Sequence, residues 1–324
     1  MQFRIWHLVT VVALSFLLSD KAAAQNPVRI NWTAVTGAQS GLFMAQQERL
    51  FKKNGLEVEL LHIPSSSRGI QAILAGEIAF SFMDGVNAAQ ANLKGANLAL
   101  VAGATNRQVF SLMAKAEIKR IADLKGKKIG ITRVGSSTHT SALYALGSAG
   151  LKPSDYQILP LMEVPNIFTA LAAGQIDAGV MSPPTNARAK KSGFVELMNV
   201  AKEGPEFVSV AVGTSRTYIK ANEDTVRRVV RAYAEGVAAM NHDKEKALKV
   251  IAKYARIPDT KGIENHYVDS VTYLDRIPRA EPEAVQTILE FMGKKGVALE
   301  TFQDNSIIDK LTKEGFFDKL YKKS

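Results

Sequence analysis

The chain has 324 residues, of which 41 are lysine or arginine and 31 are aspartate or glutamate, and it contains no cysteine. Without cysteine, a disulfide framework, a thiolate metal site and lipid attachment through a cysteine are excluded. The net charge of +10 favours anions near the surface. The basic residues are spread thinly rather than in long runs, so the composition does not predict a nucleic-acid partner. A chain of this length predicts two lobes rather than one core.

The amino terminus carries the three features of a secretory signal peptide over residues 1–24. Arg4 and His7 precede an apolar run of 11 residues, 8–18, and small residues at 22–24 follow as a cleavage site. A membrane anchor is the alternative, but it needs about 20 apolar residues. We therefore expect an exported protein, whose charge without residues 1–24 is +9 because two basic residues and one acidic residue are removed.

One supersecondary unit occurs twice. In residues 72–83 and 170–181 an alanine-rich segment reaches Gly76 or Gly174, and an apolar run with strand character follows. Glycine adopts the left-handed conformation that ends a helix at little cost, so each unit is predicted as helix, turn and buried strand. The two glycines are 98 residues apart. This spacing is too long for a solenoid repeat and is typical of two related lobes.

The alternation of strand and helix patterns predicts a mainly parallel sheet in the first lobe. Its strands are expected at 28–34, 56–63, 78–83 and 98–103, with helices at 41–53, ending at 75, and at 86–93. A strand at 109–114 leaves this lobe. In the second lobe the expected elements are strands at 129–132 and 156–161, helices at 139–148 and ending at 174, and a returning strand at 207–213. The remaining pattern is helical, at 224–240, 244–254, 263–271, 281–292 and 307–321.

Four segments resemble a known family, the periplasmic substrate-binding proteins of ABC importers for nitrate, sulfonates, taurine and thiamine precursors. These segments are 52–59, 75–80, 121–130 and 172–178. The resemblance implies a type II periplasmic-binding-protein fold, in which two α/β lobes joined by a hinge close over one solute. It also implies delivery to an ABC permease in the inner membrane, with no catalysis. We expect lobe one to comprise 25–112 and 214–324, with its helical tail packed on its sheet, and lobe two to comprise 113–213.

The loops that follow the strands are expected to face each other across the cleft, because ligands of open α/β sheets lie beyond the carboxyl ends of the strands. These loops are rich in hydroxyls and glycine, which supply hydrogen-bond donors to an anion at helix starts. The predicted ligand-binding residues are Thr36, Gln39, Ser40, Ser65, Ser66, Ser67, Arg68, Asp84, Gly135, Ser136, Ser137, Thr138, His139, Pro165, Asn166, Ser182 and Pro183.

Several of these residues have a plainer interpretation. Ser137 or Thr138 would also serve as an ordinary N-cap, and His139 as a surface residue of its helix. Arg68 could bind a carboxylate or sulfonate through two bonds, as Arg107 and Arg133 could near their own loops, or could be solvated. Asp84 could bind an amine or form a turn with Gly85. Trp32 and Phe82 are interpreted as core residues more readily than as stacking platforms.

The predicted ligand is a small organic anion of the sulfonate or carboxylate type, bound by a monomer without a cofactor or metal. A neutral aminopyrimidine, a thiamine precursor, is the alternative. An enzyme is the third possibility, because the thiamine-precursor branch includes a synthase on this fold. That branch depends on a cysteine-rich motif that this chain lacks. His62 has no second ligand at metal spacing, and no nucleophile–base pair is visible.

Overall fold

The computed structural model describes residues 26–34, 37–256 and 263–322. The predicted signal peptide therefore lies outside the described residues. The described chain forms two five-stranded sheets surrounded by helices, which confirms the α/β fold class. Among the described residues, no helix is both long enough and apolar enough to cross a bilayer.

The first sheet has the order β2-β1-β3-β10-β4. Four of its strands are parallel, and β10 runs antiparallel between β3 and β4. The strands are β1 (Val28–Trp32), β2 (Val58–His62), β3 (Phe80–Met83), β4 (Leu98–Arg107) and β10 (Glu206–Ser215). Helices α1 (Ser40–Gln47), α2 (Leu50–Lys53), α3 (Ser66–Leu74) and α4 (Gly85–Leu93) connect them.

The second sheet repeats this arrangement with the order β7-β6-β8-β5-β9, and β5 is its antiparallel strand. Its strands are β5 (Ser111–Ala114), β6 (Lys128–Ile131), β7 (Gln157–Pro160), β8 (Ala178–Met181) and β9 (Val195–Asn199). Its helices are α5 (Ser137–Ser148), α6 (Val164–Ala172), α7 (Thr185–Lys191) and α8 (Val200–Glu203). In each sheet, the antiparallel strand is thus the one that the chain forms directly after it crosses from the other lobe.

The returning strand does not lie where the sequence pattern placed it. Residues 207–213 were expected at the end of lobe two, but β10 pairs with β3 and β4 of the first sheet. Burial explains this position, because Val208 and Ala211 are buried in one hydrophobic cluster with Leu98 and Leu100 of β4, and Val212 is buried in another that contains first-sheet residues. The exact lobe boundaries stay a prediction, and we propose that the chain crosses between the lobes near 107–111 and again near 203–206.

The helical tail packs on the first sheet. It consists of α9 (Arg216–Ala221), α10 (Glu223–His242), α11 (Lys244–Ala255), α12 (Glu264–Tyr273), α13 (Pro282–Phe291), α14 (Ser306–Lys313) and α15 (Phe316–Tyr321). Tail residues such as Val230 and Ile308 share one hydrophobic cluster with Ile30 and Phe80 of the sheet. The single helix expected at 307–321 is two helices, because Gly315 takes a left-handed φ of 66° between them.

The repeated motif has a structural role. Gly76 and Gly174 have φ values of 74° and 70°, as a helix-ending turn requires. Asp177, three residues after Gly174, accepts hydrogen bonds from Lys115 Nζ at 2.8 Å and from the Lys128 backbone N–H at 3.0 Å. Burial alone would raise the pKa of Asp177, but these bonds outweigh it and lower the pKa. The second copy of the motif therefore fixes the start of β6 at Lys128 and the start of β8 after Asp177.

Candidate functional site

A cavity of about 280 Å³ lies between the two sheets. Its walls come from loops at the carboxyl ends of β1, β2 and β3 on one side, and of β6, β7 and β8 on the other. Val109 and Phe110 of the crossing near 107–111, together with Ser209 and Val210 of β10, complete it. The lining residues are Thr33, Ala34, Gln39, His62, Pro64, Ser65, Ser66, Met83, Asp84, Val109, Phe110, Thr132, Ser136, Ser137, Thr138, Met162, Glu163, Val164, Pro165, Ser182, Pro183, Pro184, Thr185, Ser209, Val210 and Ala255.

Five helices begin at this cavity, because each of them follows a strand that ends there. Their N-caps all belong to the lining: Ser65 for α3, Asp84 for α4, Ser136 for α5, Glu163 for α6 and Pro184 for α7. The first N–H groups of a helix have no partner inside the helix and carry partial positive charge. The helices α3 and α6, on opposite sides, have no side-chain cap. Uncapped N–H groups therefore approach the cavity from both lobes.

On the lobe-one side, hydrogen bonds fix the polar side chains in place. Gln39 accepts from the Thr33 N–H at 3.0 Å and donates to Thr33 Oγ1 at 2.8 Å. Asp84 is 3% exposed and caps α4 by accepting from the Asn87 N–H at 2.8 Å. The Asp84 N–H donates to Ser66 Oγ at 3.1 Å, which leaves the Ser66 hydroxyl hydrogen free for a ligand.

On the lobe-two side, three hydroxyls bind one another. Thr132 Oγ1, Ser136 Oγ and Thr138 Oγ1 lie 2.8–2.9 Å apart, and Thr138 Oγ1 also accepts from the Thr132 N–H at 2.9 Å. Ser136 is the N-cap of α5, accepting weakly from the His139 N–H at 3.4 Å. Ser137 lines the cavity, and its hydroxyl has no hydrogen-bond partner among the described residues. Of this group, Ser137 is thus the hydroxyl with no structural task.

One hydrogen bond joins the two lobes beside the cavity. Asn87 Nδ2 donates to the Gly135 carbonyl at 2.7 Å and also contacts both carboxylate oxygens of Asp84, at 3.0 and 2.9 Å. The Gly135 N–H in turn donates to His139 Nδ1 at 3.0 Å. Burial lowers the pKa of His139. An imidazole that accepts at Nδ1 is neutral, so the loop carrying Gly135 depends on an uncharged His139.

The cavity holds two strained backbone positions. Ser65 has a φ of 104° and Met162 a φ of 73°, although neither is glycine. They lie in the equivalent loops β2–α3 and β7–α6, and both line the cavity. Such strain costs about 1–3 kcal/mol per residue and is concentrated at functional sites. No sequence pattern predicted this strain.

The described residues that line the cavity include Asp84, Glu163 and His62 but no lysine or arginine. The arginines expected near the cleft are elsewhere. Arg68 is exposed on α3, because the helix turns its side chain to the surface. Arg107 pairs with Glu206 at 3.7 Å in the adjoining strand. Arg133 is partly buried outside the lining, and its Nε has no partner among the described residues.

Ten of the predicted ligand-binding residues lie in the lining: Gln39, Ser65, Ser66, Asp84, Ser136, Ser137, Thr138, Pro165, Ser182 and Pro183. Six lie beside it. Ser40 is buried in α1, Ser67 and Arg68 are exposed, and Gly135 and His139 bind each other. Asn166 donates to the Leu161 carbonyl at 3.0 Å. Thr36 is outside the described residues. That any of these residues binds a ligand stays a prediction.

The pattern of residues failed to single out several lining positions. Thr33 and Thr132 each follow the first strand of a lobe, and polar residues at that position were a usable signal. His62 and Ser209 carried none, because each belongs to a strand. No group of three or more histidines or carboxylates that could hold a metal occurs within the described part of the chain.

The two aromatic candidates differ in position. Phe82 is 1% exposed and packs edge-on against Tyr233 in the core. Trp32 is partly buried, stacks on His62 with centroids 3.9 Å apart, and meets Phe43 edge-on. His62 lines the cavity, so the imidazole of His62 lies between the cavity and the Trp32 ring.

Comparison with known proteins identifies the family. Residues 37–247 match the family model described as NMT1/THI5 like. The chain belongs to this family. The matched region contains the whole second sheet, four of the five strands of the first sheet and most of the cavity lining, so the resemblance inferred from the sequence is confirmed.

Relatives in this family are named as binding proteins. A candidate binding protein of Brucella abortus (strain 2308) is 29% identical over 252 residues, covering 76% of this chain and 77% of that protein. A candidate aliphatic sulfonates-binding protein of Escherichia coli (strain K12) is 25% identical over 275 residues, covering 83% and 82%. The alkanesulfonate-binding protein SsuA from Xanthomonas axonopodis pv. citri, solved with MOPS, is 22% identical with a TM-score of 0.68, covering 92% and 94%. This likeness confirms the periplasmic-binding-protein fold.

Proposed function

We propose that the protein is the periplasmic solute-binding component of an ABC importer. It captures a small organic anion of the sulfonate or carboxylate type between its lobes, as a monomer, and delivers it to a membrane permease without catalysis. The observation that carries this proposal is the convergence of helix N-termini from both lobes on one cavity. The named sulfonate-binding relative and the MOPS-bound neighbour support the same ligand class.

The cavity can hold an anion without a cationic side chain. Backbone N–H groups at helix starts and hydroxyls donate hydrogen bonds to an anion, and the helix dipoles favour negative charge there. A buried guanidinium would need its own compensation when the ligand leaves, whereas N–H groups and hydroxyls return to water at a small cost. Asp84 also lines the cavity and would repel an anion. This repulsion is reduced because the Asp84 carboxylate already accepts hydrogen bonds from the backbone N–H and the side chain of Asn87.

The size and the walls of the cavity favour an organic solute. The volume of about 280 Å³ is many times the roughly 10–15 Å³ that a single water needs, so the cavity has room for an organic solute of several non-hydrogen atoms. Met83, Val109, Phe110, Val164 and Val210 give it apolar surface beside the hydroxyls. A bare inorganic anion would leave this apolar surface uncovered, whereas an alkyl chain would cover it.

A thermal-shift screen of the mature protein tests the ligand class. The panel contains alkanesulfonates, alkanecarboxylates, nitrate and aminopyrimidines. We expect the organic anions to raise the unfolding temperature, since a ligand at 100 times its dissociation constant adds about 2.7 kcal/mol to stability. If only uncharged compounds raise it, the anion assignment is wrong, and the aminopyrimidine alternative replaces it.

Ser137→Ala tests whether α5 contacts the anion. Its hydroxyl has no partner in the described chain, so the change should leave stability unaltered. It should weaken the anion found in the screen by about 1.5–3 kcal/mol, the range for a hydrogen bond to a charged group. Ser148→Ala is the matched control, because Ser148 lies at the other end of the same helix and bonds only the Ala145 carbonyl. Equal affinity of both variants would show that Ser137 is not a contact.

A further inference from the structure

The base of the cavity is the part lined by the crossing near 107–111 and by the first-sheet strand β10. Val109 and Phe110 come from the crossing, and Ser209 and Val210 come from β10. Val109, Phe110 and Val210 are apolar. Among the described residues of this base, Ser209 is therefore the one with a polar side chain. The family match does not assign a role to any of them.

Ser209 is 1% exposed, and its Oγ has no hydrogen-bond partner in the described part of the protein. A buried hydroxyl without a partner costs about 1–3 kcal/mol. Nearby buried polar side chains do not carry this cost. Asn106 donates to Asp275 at 2.7 Å, Ser111 donates to Glu196 at 2.6 Å, and Thr105 donates to the Arg107 carbonyl at 3.2 Å. Alanine at 209 would fill the same place without an unpaired group.

Ser209 and Val210 both line the cavity although they are consecutive in β10. In a regular strand, consecutive side chains point to opposite faces. The register of β10 against β4 shifts between Glu206 and Val210 and again between Val210 and Ala211. Such bulges re-aim side chains and are frequent beside functional sites. The irregularity of β10 thus lets two consecutive residues, one of them with a buried unpaired hydroxyl, border the same cavity.

We infer that Ser209 is a specificity-determining ligand contact, which binds a second polar atom of the solute, apart from its anionic group. This inference rests on the proposed function and narrows its ligand class. A serine hydroxyl donates one hydrogen bond and accepts others, so a hydroxyl, an ether oxygen or a carbonyl on the solute satisfies it. The apolar residues around Ser209 contact the carbon chain that carries this atom. An unsubstituted alkyl anion leaves Ser209 unpaired and binds more weakly.

The test compares matched probes on the mature protein. Straight-chain alkanesulfonates of two to five carbons and their terminal-hydroxyl derivatives are titrated calorimetrically against the parent and Ser209→Ala. We expect the parent to bind the hydroxylated member about fivefold or more tightly than its unsubstituted partner at one chain length at least. In Ser209→Ala this ratio falls to about one, and the unsubstituted sulfonates keep their affinity.

Thermal unfolding without ligand separates a ligand contact from a structural role. Ser209→Ala removes an unpaired hydroxyl, so its midpoint should equal or exceed that of the parent. Ser215→Ala is the matched control in the same strand. Ser215 caps α9 by accepting from the Tyr218 N–H at 3.0 Å, outside the cavity lining. This variant should unfold at a lower temperature and keep the hydroxyl preference of the parent.

Three results decide the matter. A parent without any hydroxyl preference, or a Ser209→Ala variant that keeps it, overturns the Ser209 contact and leaves the proposed function standing. A lowered midpoint of Ser209→Ala with unchanged preference assigns Ser209 to the scaffold. If no sulfonate of either kind binds the parent, the proposed sulfonate class fails, and the inference built on it fails with it.

Discussion

The hydrogen bond between Asn87 Nδ2 and the Gly135 carbonyl predicts that Asn87 contributes to closure of the lobes. At 2.7 Å it joins α4 of lobe one to the loop before α5 of lobe two. We expect the lobes to separate in an open form, so Asn87→Ala should remove this bond from the closed form only. The contacts of Asn87 Nδ2 with Asp84 are also lost, but the backbone N–H of residue 87 still donates to the Asp84 carboxylate.

The magnitude follows from the value of one neutral hydrogen bond, about 0.5–1.5 kcal/mol. Destabilising the closed form by this amount weakens the apparent affinity for a solute about two- to twelvefold, since each 1.4 kcal/mol is tenfold. Titration calorimetry with the tightest anion of the screen measures the affinity. Small-angle scattering at saturation measures the radius of gyration, which should be smaller with ligand than without it in the parent.

Asn92→Ala is the matched control for Asn87→Ala. Asn92 lies in the same helix, but its Nδ2 donates to the carbonyls of Leu98 and Thr301 within lobe one, at 2.9 and 2.8 Å. This change should lower the unfolding temperature and leave the affinity unaltered. If Asn87→Ala binds as tightly as the parent and compacts to the same radius of gyration, the bond between the lobes does not stabilise the closed form.

Burial lowers the pKa of His139 below 6.5, so His139 binds a proton at higher pH in the unfolded chain than in the folded protein. The free energy of unfolding should therefore fall as the pH drops through and below about 6.5. The thermal midpoint of the parent should exceed that of His139→Gln by less at about pH 5.5 than at about pH 7.5. Gly236→Ala places a Cβ 2.1 Å from the Gly41 carbonyl oxygen and should lower the free energy of unfolding by about 1–3 kcal/mol, unlike Gly147→Ala, which has open space; equal denaturation midpoints would refute the tight α1–α10 contact. Trp32 emission should change on ligand binding through the stacked His62, and a response that persists in His62→Ala would rule out this route.

Local patterns in the sequence determined where helices begin and strands end. Because the cavity lies at the carboxyl ends of parallel strands, this was enough to predict Ser65, Ser66, Ser136, Ser137 and Ser182 in its lining. The repeated unit also revealed two related lobes, since its glycine takes a left-handed conformation after a helix in both copies. These inferences need only neighbours within one or two turns of chain.

The tertiary structure decided which strand joins which sheet. The apolar pattern of β10 shows only that it is buried, and its pairing with β3 and β4 spans more than 90 residues of sequence. The same holds for charge. The sequence left open whether Arg107 meets a ligand or solvent, and in the structure Glu206 reaches it because β10 lies beside β4. Periodicity is local, whereas strand pairing and ion pairing depend on segments distant in sequence that only the folded chain brings together.

Ser209 shows the limit most clearly. In the sequence it is one hydroxyl in a buried apolar strand, and regular alternation gives it no reason to share a face with Val210. The bulges that let both residues border the cavity arise from the register of β10 against β4. Composition, motifs and spacing therefore determined the fold class, the family and the loops around the cavity. Long-range packing decided the base of the cavity and which polar groups there remain free for a ligand.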